Sequence, residues 1–282
     1  MRSTSLCLLF LLASCERVID LNVDEGPRRL VVEARLERVI EHVSSIQSVK
    51  LSVSSSYFSN SPPIPARAAL VRVVDDRGVV TPFTESNTPG AYVTSSLTVT
   101  RDRTYTLLID WEGDRYEAKE STRAVAPIDS LYFEKPQPGR FAGDKGVRAT
   151  IDFVDRGGEH NYFLWDQYVN GKRQLGPDST VRMRITATDD GYDGLPIRGL
   201  QPFEGVDIPI GADVLMRQYA ISADVYRYYF ALSDQLGADG SPFSVPSSSL
   251  RGNVANRSKP NLPAAGYFYV SEVSEARARY QP

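Results

Sequence analysis

Apolar and polar residues alternate in short runs along most of this chain, and the period of the alternation marks its elements. Residues 29–36, RLVVEARL, read as a strand. Over 46–58, Ile46, Val49, Leu51, Val53 and Tyr57 stand among Ser and Gln, the rhythm of a strand with one wet face. SNSPPIP at 59–65 reads as a loop, since proline cannot donate to a central ladder. The clearest local unit is RAALVRVVDDRGVVTPF at 67–83, two apolar runs around the turn Asp76-Arg77-Gly78, which predicts a hairpin. SLTVT at 96–100, a turn at Arg101-Asp102-Arg103, TYTLLIDW at 104–111, a turn at EGDR and YEAKESTRAV at 116–125 continue the series. Short strands with turn signals every eight to twelve residues or so predict an immunoglobulin-like β-sandwich over residues 27–125.

A second β-rich domain is expected over 126–282. Strands are read at VRATIDFV (147–154), NYFLWDQYV (161–169, closed by Asn170-Gly171) and VRMRITAT (181–188). A polar, glycine-rich connection follows at 189–209, with Val214 and Met216 in a short strand beyond it. Val225, Tyr228, Tyr229 and Leu232 then fall on one face of a helix placed at 222–236, with Ser222 as its N-cap. Segments 266–270 and 273–280 are expected to add two strands to this domain. The fold class is therefore mostly β: an N-terminal immunoglobulin-like β-sandwich followed by a second β-rich domain carrying one helix.

The N-terminus follows a different pattern. Met1-Arg2 carry positive charge, Leu6 to Leu12 are almost unbroken apolar sequence, and Leu12-Ala13-Ser14-Cys15 closes the run. This stretch falls well short of the roughly 20 residues that span a bilayer, so residues 1–14 read as a signal peptide. Small residues before a cysteine form the pattern of a bacterial lipobox. The Cys15 thiol is a soft nucleophile able to take a diacylglycerol, and the amine freed by cleavage can be acylated in turn. Two or more chains hold a protein on a membrane where one binds only marginally. Residues 15–26 then form a lipidated tether. The other cysteine, Cys7, lies within the leader, so the body has no thiol for a disulfide, a metal site or catalysis.

Composition narrows the function classes. Lys plus Arg number 32 against 35 Asp plus Glu, a formal net charge of -3 that carries no nucleic-acid footprint. His42 and His160 are the only imidazoles, too few for a three-histidine zinc site and outside any HExxH pattern. There is no GxSxG elbow, P-loop or dinucleotide fingerprint. The chain reads as a non-enzyme, with no catalytic, cofactor-binding or metal residues assigned. Asp189-Asp190-Gly191-Tyr192-Asp193-Gly194 sets three carboxylates among glycines, oxygen ligands suited to calcium, but the EF-hand order is incomplete. A solvated loop and a calcium site both stand for Asp189–Gly194. Paired carboxylates also serve glycoside hydrolysis, whose spacing sequence does not display.

Aromatics are the better lead. Tyr226, Tyr228, Tyr229 and Phe230 lie too close together to share one helix face. Core packing accounts for most such residues, while those left outside form a candidate interaction surface, since exposed tyrosine couples apolar area to a hydrogen-bonding tip.

Ordered motifs along nearly the whole chain resemble the DUF4249 family of Bacteroidetes lipoproteins. They are SCERVIDL (14–21), LVVEARL (30–36), AALVRVVDDRG (68–78), GAYVT (90–94), TYTLLI (104–109), APIDSLYF (126–133), YRYYFAL (226–232), PFSVPSS (242–248), RGNV (251–254) and AGYFYVSEVS (265–274). NRSKPNLPA at 256–264 departs from the shorter connection of relatives. The resemblance implies an outer-membrane lipoprotein encoded near TonB-dependent transporters of the SusC type, hence an accessory or binding role in nutrient capture. It carries over no catalytic residue. Glu16 is unlike an inner-membrane retention aspartate, and Arg17, Val18 and Ile19 do not form an acidic surface-export tag, so the membrane face, periplasmic or external, is left open. The alternative function is an envelope structural or adhesive module without a transport role.

Overall fold

The computed structural model describes residues 26–42, 46–55, 61–136, 146–174, 185–203, 205–236 and 250–281. The leader, Cys15 and the tether through residue 25 lie outside the described residues, as do 181–184 and the PFSVPSS segment.

Strands form where the two-residue alternation is strongest. β1 (Leu30–Val39) buries Leu30, Val32, Ala34 and Leu36 on one face and pairs antiparallel with β2 (Gln47–Val53). β3 (Ile64–Pro65) is a short strand hydrogen-bonded to β2, a position where proline's missing N–H costs little. The expected hairpin is β4 (Leu70–Asp75) with β5 (Val80–Glu85). β5 pairs first with β4 and then, through Thr84 and Glu85, with β6 (Ala91–Thr94), so it passes from one layer of a sandwich to the other. β7 (Thr104–Trp111) and β8 (Asp114–Ser121) extend the β4 layer. Val49, Leu51, Val71, Val73, Leu107 and Ile109 meet between the layers. SLTVT at 96–100 forms no ladder, although Leu97 and Val99 are buried in that core. The Thr100 amide donates instead to the Tyr105 hydroxyl at 2.9 Å.

β9 (Ile128–Glu134), β10 (Arg148–Val154) and β14 (Pro196–Leu200) make a three-stranded sheet. β14 lies within what the sequence presents as a polar connection. β11 (Tyr162–Val169) turns at Asn170-Gly171, both at positive φ, into β12 (Lys172–Gln174), the two-residue hairpin expected of Asn-Gly. β13 (Ile185–Thr188) also pairs with β11, and β15 (Asp213–Ala220) runs to full length around Val214 and Met216. The described helix, α1 (Ala223–Leu236), starts as the N-cap predicts, with the Val225 amide 3.4 Å from Ser222 Oγ. β16 (Ala255–Asn256) pairs with β8 of the first sandwich.

Where two closing strands are expected there is one, β17 (Ala265–Arg279), parallel to β1 and antiparallel to β15. It joins the two regions in one 14-stranded sheet. Its alternate residues serve different cores: Phe268 and Val270 enter the first sandwich, while Tyr267, Tyr269 and Val273 face the helix. β11 divides its faces in the same way. Phe163 and Trp165 pack toward the three-stranded sheet, and Tyr162 and Leu164 pack toward α1. Glu272 is fully buried at the junction, held by Arg38 at 2.6 Å, by two Arg101 nitrogens at 2.9 Å and by the Val125 amide at 3.2 Å.

Candidate functional site

Two clusters adjoin near the β11–β13 end of the large sheet. The first is acidic. Asp155 follows β10, and its amide donates to the Leu195 carbonyl at 3.0 Å; Asp189 follows β13, and its amide donates to Asn161 at 3.2 Å. Successive turns then run from Asp189 to Tyr192 and from Tyr192 to Leu195. Gly157 and Gly194 bring the two loops together, since a Cβ on Gly157 would lie only 3.1 Å from the Gly194 Cα. A shallow cleft of about 350 Å³ opens here, with His160, Asp189, Asp190 and Asp193 in its wall.

Charge is concentrated on one side of this cleft. Asp155, Asp189 and Asp193 each offer a carboxylate oxygen, all within 4.8 Å of one another, and His160, Asp189 and Asp190 form a second such group. His160 is half-exposed, with Nδ1 at 3.3 Å from Asp189 and Nε2 at 3.3 Å from Asp190. Burial pushes the Asp155 carboxyl above the usual range; Asp189 and Asp193 push it the same way, while the Gly194 amide, 2.9 Å from Oδ2, opposes them. Sequence reasoning weighed the Asp189–Gly194 loop but missed Asp155. It closes an ordinary alternating strand, and only its approach in space gives it a role. The Gly157-Gly158 pair beside it was the one local signal that backbone comes close here.

The second cluster is aromatic. Rings form a chain from His160 to Tyr162 (5.0 Å between centroids), Tyr226 (5.3 Å) and Phe230 (5.9 Å). Tyr228 lies tilted against Tyr267 at 5.0 Å and Tyr229 meets Tyr269 edge-on at 6.4 Å. Of the four residues singled out on the helix, Tyr226, Tyr228 and Tyr229 are therefore packed against the sheet and only partly open. Phe230 is 53% exposed. The sequence shows that one face cannot hold all four; which one is left outside depends on where β17 sets its tyrosines. His42 is exposed, just beyond β1 and away from any ion pair among the described residues.

Neither histidine is paired with a serine or cysteine among the described residues, and no helix among them is long and apolar enough to cross a membrane. Fold and site together define a β-sheet protein with a helix laid on one face and an acidic cleft at the edge. Residues 16–277 match the DUF4249 family, described as a domain of unknown function, and the chain belongs to that family. Among curated proteins, none matches it.

Proposed function

We propose that this protein is a lipid-anchored accessory or binding protein of the outer membrane, assisting a SusC-like TonB-dependent transporter in nutrient capture. One observation carries the reading: a lipobox cysteine, Cys15, stands a short tether ahead of a β body whose first strand begins at Leu30. Membership of DUF4249 supports the same placement. The exposed Phe230 and its supporting tyrosines supply a contact surface. Burying the open half of one phenylalanine contributes only about 1 kcal/mol, so docking must recruit the neighbouring rings as well.

The test is made on membranes solubilised in mild detergent. Native protein is expected to carry diacylglycerol and fatty acyl mass on Cys15 and to co-purify with a transporter. Phe230→Asp is expected to leave Tm unchanged and lower transporter recovery about tenfold. An intact leader, or a processed chain without acyl mass, overturns the anchor. Acylated protein that recovers no transporter, and whose deletion leaves uptake unchanged, favours the structural or adhesive module.

A further inference from the structure

We propose that Asp155, Asp189 and Asp193 form a binding site for a divalent cation, with calcium the ion their chemistry fits. The three carboxylates come from two loops and converge within 4.8 Å. Each is oriented by an amide on one oxygen: Gly194 N–H to Asp155 Oδ2 at 2.9 Å, Asn161 N–H to Asp189 Oδ2 at 2.9 Å, and Gly158 N–H to Asp193 Oδ1 at 2.8 Å. Asp155 and Asp189 are only 5% and 3% exposed, yet the second oxygen of each, Oδ1, is buried and accepts no hydrogen bond. A buried carboxylate oxygen is normally satisfied, because leaving it unpaired forfeits its hydration with nothing in exchange. Here two such oxygens belong to carboxylates of one cluster.

No lysine or arginine among the described residues forms an ion pair with these three aspartates. Arg156, next to Asp155 in the chain, directs its Nε to Glu159 at 3.4 Å. His160 approaches Asp189 Oδ1 at 3.3 Å without hydrogen-bond geometry. Like charges held this close in a partly dry site repel one another unless a cation lies between them.

Donor type selects the ion. This set, with Asp155 and Asp189 buried and Asp193 exposed, is all oxygen, from loops that can also lend carbonyls and leave room for water, and calcium takes six to eight or so oxygens in flexible geometry. Zinc would favour the set that contains nitrogen, His160 with Asp189 and Asp190, which is largely exposed. Magnesium demands nearly ideal octahedral geometry and keeps much of its water. A bound ion would tie the 155–161 turn to the 189–194 loop. Through the His160–Tyr162–Tyr226 contacts it would also steady the helix face, whatever partner that face meets.

The experiment uses the full mature protein, stripped with chelator and then titrated with calcium, magnesium or zinc while Tm and calorimetric binding are followed. With a Kd on the order of 10⁻⁴ M, as in extracellular calcium modules, about 1 mM calcium raises Tm by about 3 °C. Asp193→Asn keeps an oxygen for the Gly158 amide and removes one charge. It is expected to bind calcium at least tenfold more weakly and, in chelator, to be more thermostable than the wild type because repulsion is relieved. Asp155→Asn is expected to behave alike, and His160→Gln to bind calcium as the wild type does. Absence of calcium binding, a calcium affinity unchanged in Asp193→Asn, or a zinc response lost in His160→Gln without any calcium response would each overturn the assignment.

Discussion

Glu120 lies half-buried beside the start of α1, where its oxygens accept hydrogen bonds from the Ser121 amide and the Ser222 hydroxyl, each at 3.1 Å. Burial raises its carboxyl above the usual glutamate range, against the pull of those two donors and Arg123, and Asp224 pushes the same way as burial. A carboxyl whose folded-state pKa lies above the unfolded one stabilises the fold while protonated and loses that contribution as pH rises through the folded value. At neutral pH the ionised form is therefore a cost. Glu120→Gln keeps an acceptor for Ser222 and removes the charge. It is expected to raise Tm at about pH 8, with the gain fading toward about pH 4, where wild-type Glu120 is protonated as well. Thermal scans at the two pH values check this; a lower Tm for the variant at pH 8 would show that the attraction of the Arg123 charge outweighs burial.

At the scale of elements, the parallel β1–β17 ladder depends on a close backbone approach at Gly266. Its φ is +87°, and a Cβ there would lie 2.1 Å from the Val32 carbonyl oxygen. The neighbouring Gly252 is as tightly placed, with a Cβ position 1.7 Å from the Gly266 carbonyl oxygen. Gly266→Ala adds left-handed strain and forces apart the first residues of the ladder. The expected loss is about 3 kcal/mol or more, a fall in Tm of about 6 °C or more. Gly78→Ala is the control. It has a similar φ of +83° but nothing within 4 Å, so only the strain, about 1 kcal/mol, is expected. Equal Tm losses for the two variants would show that the close approach contributes nothing.

For the whole molecule, β17 makes the two β regions interdependent. Its even-numbered Phe268 and Val270 complete the first core, its odd-numbered Tyr267, Tyr269 and Val273 complete the core under α1, and Glu272 draws Arg38 and Arg101 to the junction. We propose the division at 125/126 as one of folding units that share this strand. Removing β17 from either side would expose apolar area on both, so unfolding is expected as one cooperative transition, with calorimetric and van't Hoff enthalpies equal. Two resolved calorimetric peaks would show instead that residues 27–125 retain their fold after the remainder opens.

Local chemistry alone determines much of this protein. Alternation marks β1, β2, β7, β10 and β11, Asn170-Gly171 specifies its hairpin, Ser222 starts the helix, and the leader with Cys15 carries the expected anchor. These features lie within a few residues of the groups they act on. Periodicity tells which residues share a face; it does not name the strand on the other side. The parallel partnership of β17 with β1, the passage of β5 between layers and the pairing of β14 with β10 are decided by where those faces can be buried together. The same holds for the acidic site. Asp189 and Asp193 stand out in the sequence, but Asp155 joins them only because Gly157 and Gly194 let two distant loops touch, and tertiary packing alone buries Oδ1 of Asp155 and of Asp189.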